Sequence, residues 1–162
     1  MLGQALCGFE ENAYKAMSET WHPIPVTCLM EGVSFVSKPE FNAVIPSLAY
    51  FLDRNEFAKQ DLAGVFSNVV TVFSLKYLVN RQRPDGPCPR WNSSFPSGHT
   101  TFSFTQAFIA AHHYPRFKVP LFTYAAVAGL SRIYLKKHYP SDVIAGALLG
   151  ILTGYLTVEL ID

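Results

Sequence analysis

Three short stretches in the second half of the chain hold the residues that could do chemistry. They are Lys76-Tyr-Leu-Val-Asn-Arg-Gln-Arg83-Pro84, then Pro96-Ser97-Gly98-His99, then Ser131-Arg132 with His138 and Asp142 downstream. Together they gather cationic side chains, imidazoles, hydroxyls, a glycine amide and a carboxylate. Cleaving a phosphate ester needs that set: a cage for a multiply charged anion, a nucleophile, a proton donor and an orienting acid. The stretches lie far apart in sequence, so their agreement is not a local accident of composition.

Each stretch has a physical reading of its own. Lys76 and Arg83 lie about two helical turns apart, and Pro84 disfavours helix at Arg83, so the chain leaves the helix there. A lysine ending a long apolar run is costly unless paired; a phosphate would pair it, and an arginine can fork two donors onto phosphate oxygens. Taken alone, the same residues also read as a snorkelling lysine and an arginine that stops a span. Ser97 is a natural N-cap and Gly98 admits a ligand to the backbone, so free amides and the helix dipole would favour an anion beside His99. Arg132 adds a second forked donor. Asp142, four residues after His138, can accept the imidazole N–H and fix its tautomer, as in serine-hydrolase triads with another nucleophile. A His–Asp pair capping a helix is the structural alternative.

Apolar helices must position these stretches. Val143 to Val158 is uncharged, and Gly146, Gly150 and Gly154 recur every fourth residue, a spacing that lets another helix approach closely. Further helices are predicted over Asp61–Asn80, His99–Tyr114 and Lys118–Leu135, with a short apolar piece at Phe41–Leu52. Residues 4–20 read as an amphipathic helix lying at an interface or capping a bundle. Pro23, Pro25, Pro39 and Pro46 are expected to break up the region between, and no strand alternation persists. If the helices alternate in direction, all three motifs arrive at one end of the bundle; the short links 115–117 and 136–140 favour antiparallel neighbours. The expectation is one all-α domain over 1–162, an antiparallel bundle of five to six largely transmembrane helices. It has an N-terminal segment over 1–40 and a catalytic core over 60–160.

Composition agrees. Of 162 residues 49% are hydrophobic and only 15% charged, below the roughly 25% usual in soluble domains. A mean hydropathy of +0.16 leaves a soluble reading open. The net charge of +1 speaks against a nucleic-acid partner. Cys7, Cys28 and Cys88 form no CxxC pair and read as small buried or interfacial side chains, with a Cys88 cross-link conceivable in an oxidising compartment. The N-terminus lacks a basic region followed by a long apolar stretch, so no cleavable signal is expected.

The order Lys-x6-Arg-Pro, Pro-Ser-Gly-His, Ser-Arg-x5-His-x3-Asp resembles the signature of the type 2 phosphatidic acid phosphatase (PAP2) superfamily, over roughly residues 60–160, and its membrane lipid-phosphatase branch in particular. The resemblance implies that His138 attacks phosphorus to form a phosphohistidine, that Asp142 orients it, and that His99 protonates the leaving oxygen and then activates water. Lys76, Arg83, Ser97, the Gly98 amide and Arg132 would hold the phosphoryl oxygens. No metal or other cofactor is implied. The partners would be a lipid phosphate or prenyl diphosphate and the bilayer, in a prokaryotic cytoplasmic membrane with the site near the extracytoplasmic face. Loop charge does not orient the chain, since Arg81, Arg90, Lys136 and Lys137 at the motif end are balanced by Arg54, Lys59, Arg116 and Lys118 at the other.

Arg81, Arg90, Lys136 and Lys137 are read as solvated surface charge, or as contacts to a second phosphate or an anionic headgroup. His112 and His113 point about 100° apart on a helix and read as ordinary interface residues; His22 carries no mechanism. Trp91 and Phe95 suit an apolar entrance or an interface anchor. The competing functions are a soluble acid phosphatase of the same superfamily, a vanadate-dependent haloperoxidase and a non-catalytic membrane scaffold.

Overall fold

The computed structural model describes residues 23–42 and 54–161, with a few single positions before and between them. Most of the amphipathic helix expected over 4–20, half of Phe41–Leu52, His22 and Cys7 lie outside the described residues. Elsewhere the predicted helices form, and among the described residues there is no β-strand. The elements are α1 (Ile24–Val36), α2 (Pro39–Asn42), α3 (Asn55–Val79), α4 (Gly98–His113), α5 (Lys118–Tyr134) and α6 (Pro140–Leu160), with 3-10 turns at Arg90–Asn92 and Pro115–Phe117.

Pro23 and Pro25 correct the expectation of a broken region. Pro23 is the extended N-cap of α1 and Pro25 sits in its first turn, where a missing N–H costs nothing because that group has no helical partner. Helix α3 begins well before Asp61. Its polar first turns carry no apolar periodicity, but a Glu56–Lys59 ion pair of 3.0 Å spans them, a spacing that supports helix. At 25 residues α3 is about 37 Å long, and at 21 residues α6 is about 31 Å. Both are long and apolar enough to cross a bilayer core.

Helix α4 is the axis of the bundle, packed by α3, α5 and α6, while α1 lies on α5. The glycine ladder of α6 faces α4. A Cβ on Gly146 would come within 2.8 Å of Ser97 O, and one on Gly150 would collide with Thr101 O. Backbone therefore meets backbone, and the hydroxyls of α4 bridge the seam: Thr105 Oγ1 donates to Gly150 O at 2.9 Å. The outward face of α3 is apolar and uncovered, with Leu62, Phe66, Val70, Phe73 and Leu78 exposed.

Candidate active site

The heads of α4 and α6, the tail of α3 and the link after α5 meet at one end of the bundle. Asn80 closes α3 in the left-handed region (φ 48°), so the chain turns back over the helix end. A second turn at Gly86, with φ 131°, uses a conformation that glycine adopts readily. The returning segment is pinned in place. Ser93 Oγ donates to Lys76 O at 2.8 Å, Lys76 Nζ donates to Ser93 O, and Ser94 N donates to Arg81 O at 2.7 Å. Arg83 Nε and Nη2 clasp Asn92 O and Oδ1 at 2.9 and 2.7 Å.

These turns enclose a cavity of about 240 Å³. Lys76, Arg83, Gly98, His99 and His138 all line it, so one space joins residues from all three sequence motifs. Val72, Phe73, Trp91 and Phe102 form its apolar wall. Lys38, from the connection between α1 and α2, and Glu40 of α2 also line the cavity.

Residues 60–162 match the profile of the PAP2 superfamily. The chain belongs to this superfamily. Over 85 residues, half of this chain, it is 41% identical to a lipid A 1-phosphatase of Porphyromonas gingivalis, but that stretch is 18% of the relative's length. It is 40% identical over 98 residues to a decaprenylphosphoryl-5-phosphoribose phosphatase of Mycobacterium tuberculosis, covering 57% of this chain and 54% of the relative. The chain thus matches between about a fifth and a half of the length of these relatives. The crystal structure of LpxE from Aquifex aeolicus superposes with a TM-score of 0.80 at 29% identity, over 91% of this chain and 93% of that one.

Behind the cavity the PAP2 residues differ from the sequence reading in three ways. First, the hydrogen bond of the His138 imidazole goes to Ser94 O, and Asp142 stays at ion-pair distance. His138 Nδ1 lies 2.7 Å from Ser94 O and 3.8 Å from Asp142 Oδ2. A carbonyl can only accept, so Nδ1 carries the proton and Nε2 keeps the lone pair. Asp142 Oδ2 instead accepts from Ser94 Oγ and, at 2.9 Å, from Tyr139 N, so Ser94 stands between acid and imidazole. Burial pushes His138 down to about 4; the nearby Asp142 carboxylate, as a hydrogen-bond acceptor, raises it in part, and the charges of Arg83, Lys76 and Arg132 lower it. The imidazole is therefore neutral at ordinary pH.

Second, Arg81 is not a solvated charge. Its Nη1 donates to Asp142 Oδ1 at 2.9 Å and to Ser141 Oγ at 2.7 Å, and its guanidinium lies 4.1 Å from the Tyr139 ring centroid. Asp142 is fully buried, and Arg81 is its counter-ion. Lys137 likewise pairs with Asp85 at 2.6 Å, and Arg90 lies over the Tyr77 ring.

Third, Ser97 and Arg132 sit behind the cavity wall, both buried. Ser97 holds the N-cap position by backbone geometry without a side-chain cap; its Oγ accepts from Thr100 Oγ1 at 2.8 Å, and its amide donates to Asp142 O at 3.0 Å. Arg132 Nη1 donates to Ser34 Oγ of α1, while its buried Nε has no hydrogen-bond partner among the described residues. A buried guanidinium N–H without an acceptor is costly, and an anion in the neighbouring site would supply one.

The sequence reading missed Ser34, Lys38, Glu40 and Ser94. Ser94 acts largely through its main-chain carbonyl, which every residue type has. The other three lie outside the matched motifs.

His112 and His113 lie at the far end of α4. His113 Nε2 bonds Gln60 Oε1 at 2.8 Å and its ring meets Phe57 edge-on, a contact between α4 and α3. Cys28 is exposed and Cys88 half-buried, both as free thiols.

Proposed function

We propose that this chain is a metal-independent phosphatase that hydrolyses a lipid phosphate or prenyl diphosphate through a phosphohistidine. One observation carries the reading. The cavity holds its cations and imidazoles beside an apolar wall, and one wall residue, Phe73, also belongs to the exposed apolar face of α3. A substrate with a charged head and a hydrocarbon tail fits both surfaces at once. The two relatives, a lipid A 1-phosphatase and a decaprenyl-linked phosphatase by name, support a lipid phosphate as substrate.

The roles follow from position. His138 Nε2 bonds to phosphorus as the ester P–O bond breaks, and His99 gives its proton to the leaving oxygen. Water, deprotonated by His99, then breaks the N–P bond and releases inorganic phosphate. Lys76, Arg83 and the Gly98 amide hold the phosphoryl oxygens, with Arg132 and Ser97 acting from behind. Asp142 orients His138 through Ser94. The cations supply the charge neutralisation that a metal ion supplies in other phosphatases.

In this reading residues 1–162 act as one catalytic unit, with α3 and α6 crossing a prokaryotic cytoplasmic membrane. The site lies toward the extracytoplasmic side, as the family resemblance implies. The exposed face of α3 weighs against the soluble acid-phosphatase alternative, which recovery in the supernatant of detergent-free lysates would restore.

The test is phosphate release by detergent-purified protein from a panel of lipid monophosphates and prenyl diphosphates. Wild type should release phosphate in EDTA and trap an acid-labile label at residue 138. His138→Ala should lose at least about 10⁴-fold in rate. Equal rates in the two proteins would end the proposal.

A further inference from the structure

Lys38 is the cavity cation that the signature does not contain. It lies outside the matched residues 60–162, yet lines the same space as His99 and His138, and its charge reaches the His99 imidazole. Its position is fixed by packing. Lys38 N donates to Phe35 O at 3.3 Å and Phe41 N donates to Lys38 O at 3.0 Å. The Phe35 and Phe41 rings close over the turn at 5.0 Å, and the Lys38 ammonium rests 4.8 Å from the Phe35 centroid. Helix α2 packs on α4, and α1 is tied to α5 by Thr27–Tyr134 at 2.9 Å and by Ser34–Arg132. The ammonium is thus presented to the cavity by a braced turn.

The cations around the reacting phosphoryl group are already accounted for by Lys76, Arg83 and Arg132. His99 marks the leaving side, because it gives its proton to the leaving oxygen. A monoester leaves as a neutral alcohol once protonated, and needs no further cation there. A diphosphate leaves as a phosphate monoester, which still carries negative charge after His99 has protonated it. Taking the proposed phosphatase reading as its basis, we propose that Lys38 forms a second anion subsite that holds the leaving phosphate of a diphosphate substrate. In that reaction the bridging P–O bond breaks, the terminal phosphoryl group goes to His138, and the inner phosphate departs against Lys38. The cavity is large enough for more than one phosphoryl group. Glu40, on the same rim, opposes a second anion and sets how strongly it is favoured.

The experiment compares kcat/KM for farnesyl diphosphate and farnesyl monophosphate in detergent-purified wild type, Lys38→Ala, Lys38→Arg and Glu40→Gln. Lys38→Ala should lower the diphosphate-to-monophosphate ratio by about tenfold or more, the loss expected for one charge-assisted contact. Lys38→Arg should keep most of the ratio, and Glu40→Gln should raise it. Turnover of the monophosphate by Lys38→Ala reports that the variant is folded. A ratio within about twofold of wild type in Lys38→Ala would overturn the subsite, as would an equal loss on both substrates. If wild type hydrolyses neither compound nor any other lipid phosphate, the phosphatase reading itself falls first.

Discussion

The cavity is shared by two regions that meet it differently. The core after residue 60 contributes Lys76, Arg83, Gly98, His99 and His138, each held by helix ends and by a loop folded back on itself. The segment over residues 23–42 contributes Lys38 and Glu40 at the rim and Ser34 behind Arg132. In the core, the buried acid is neutralised inside the region: Asp142 meets Arg81, Ser94 and Tyr139. The N-terminal segment instead leans on the core from outside, α1 on α5 and α2 on α4. The lesson is a division of labour. Changes in the core should cost the reaction on every substrate, whereas changes in the segment should cost little or alter the choice of substrate.

The sharpest way to break that contrast is Asp142→Asn, with an expected loss of about a thousandfold on all substrates. Rates within threefold of wild type would mean that the Ser94 carbonyl alone orients His138. Next comes Arg81→Gln. Leaving Asp142 without its counter-ion strengthens its pull on the His138 proton, so the acid limb of kcat/KM should rise by about one unit, with a loss of about tenfold at pH values below that limb and little change at neutral pH. An unmoved pH profile would assign Arg81 a purely structural part. Ser34→Ala should cost only a few-fold, roughly 1 kcal/mol, and equally on monophosphates and diphosphates; a change in selectivity there would blur the two regions.

The smallest effect is on stability. His138 sits near 4 when folded against about 6.5 in an unfolded chain. Between those values the unfolded state binds more protons, so stability must fall as the pH drops from 6.5 toward 4. The fall is at most about 1.4 kcal/mol per unit. His138→Gln should flatten that part of the curve in thermal unfolding.

Much of this arrangement is legible without coordinates. Uncharged runs locate α3 to α6 because apolar length is itself the signal, and the glycine spacing of α6 announces a close neighbour. The three motifs fall at helix ends, so alternation of direction is enough to bring them together. What stays hidden is pairing across long stretches of chain. Ser34 and Arg132 are 98 residues apart, and no periodicity links them. Arg81 looks like any loop cation until its partner is seen. The intervention of Ser94 between Asp142 and His138 depends on a loop path that residue types do not encode. The prolines at 23 and 25 mislead because they are read as breakers where they in fact begin α1.

The bare glycine face of α6 against α4 bears on how the protein can move. His99 rides at the top of one of these helices, while His138 and Asp142 flank the top of the other. With main chain seated on main chain between them, neither helix can slide or roll without a clash. The spacing between the two imidazoles is therefore locked in before any substrate arrives. Entry of a bulky tail has to be accommodated by yielding of α1 and the outer side of α3, so breathing is expected at the periphery of this protein and stillness at its chemical centre.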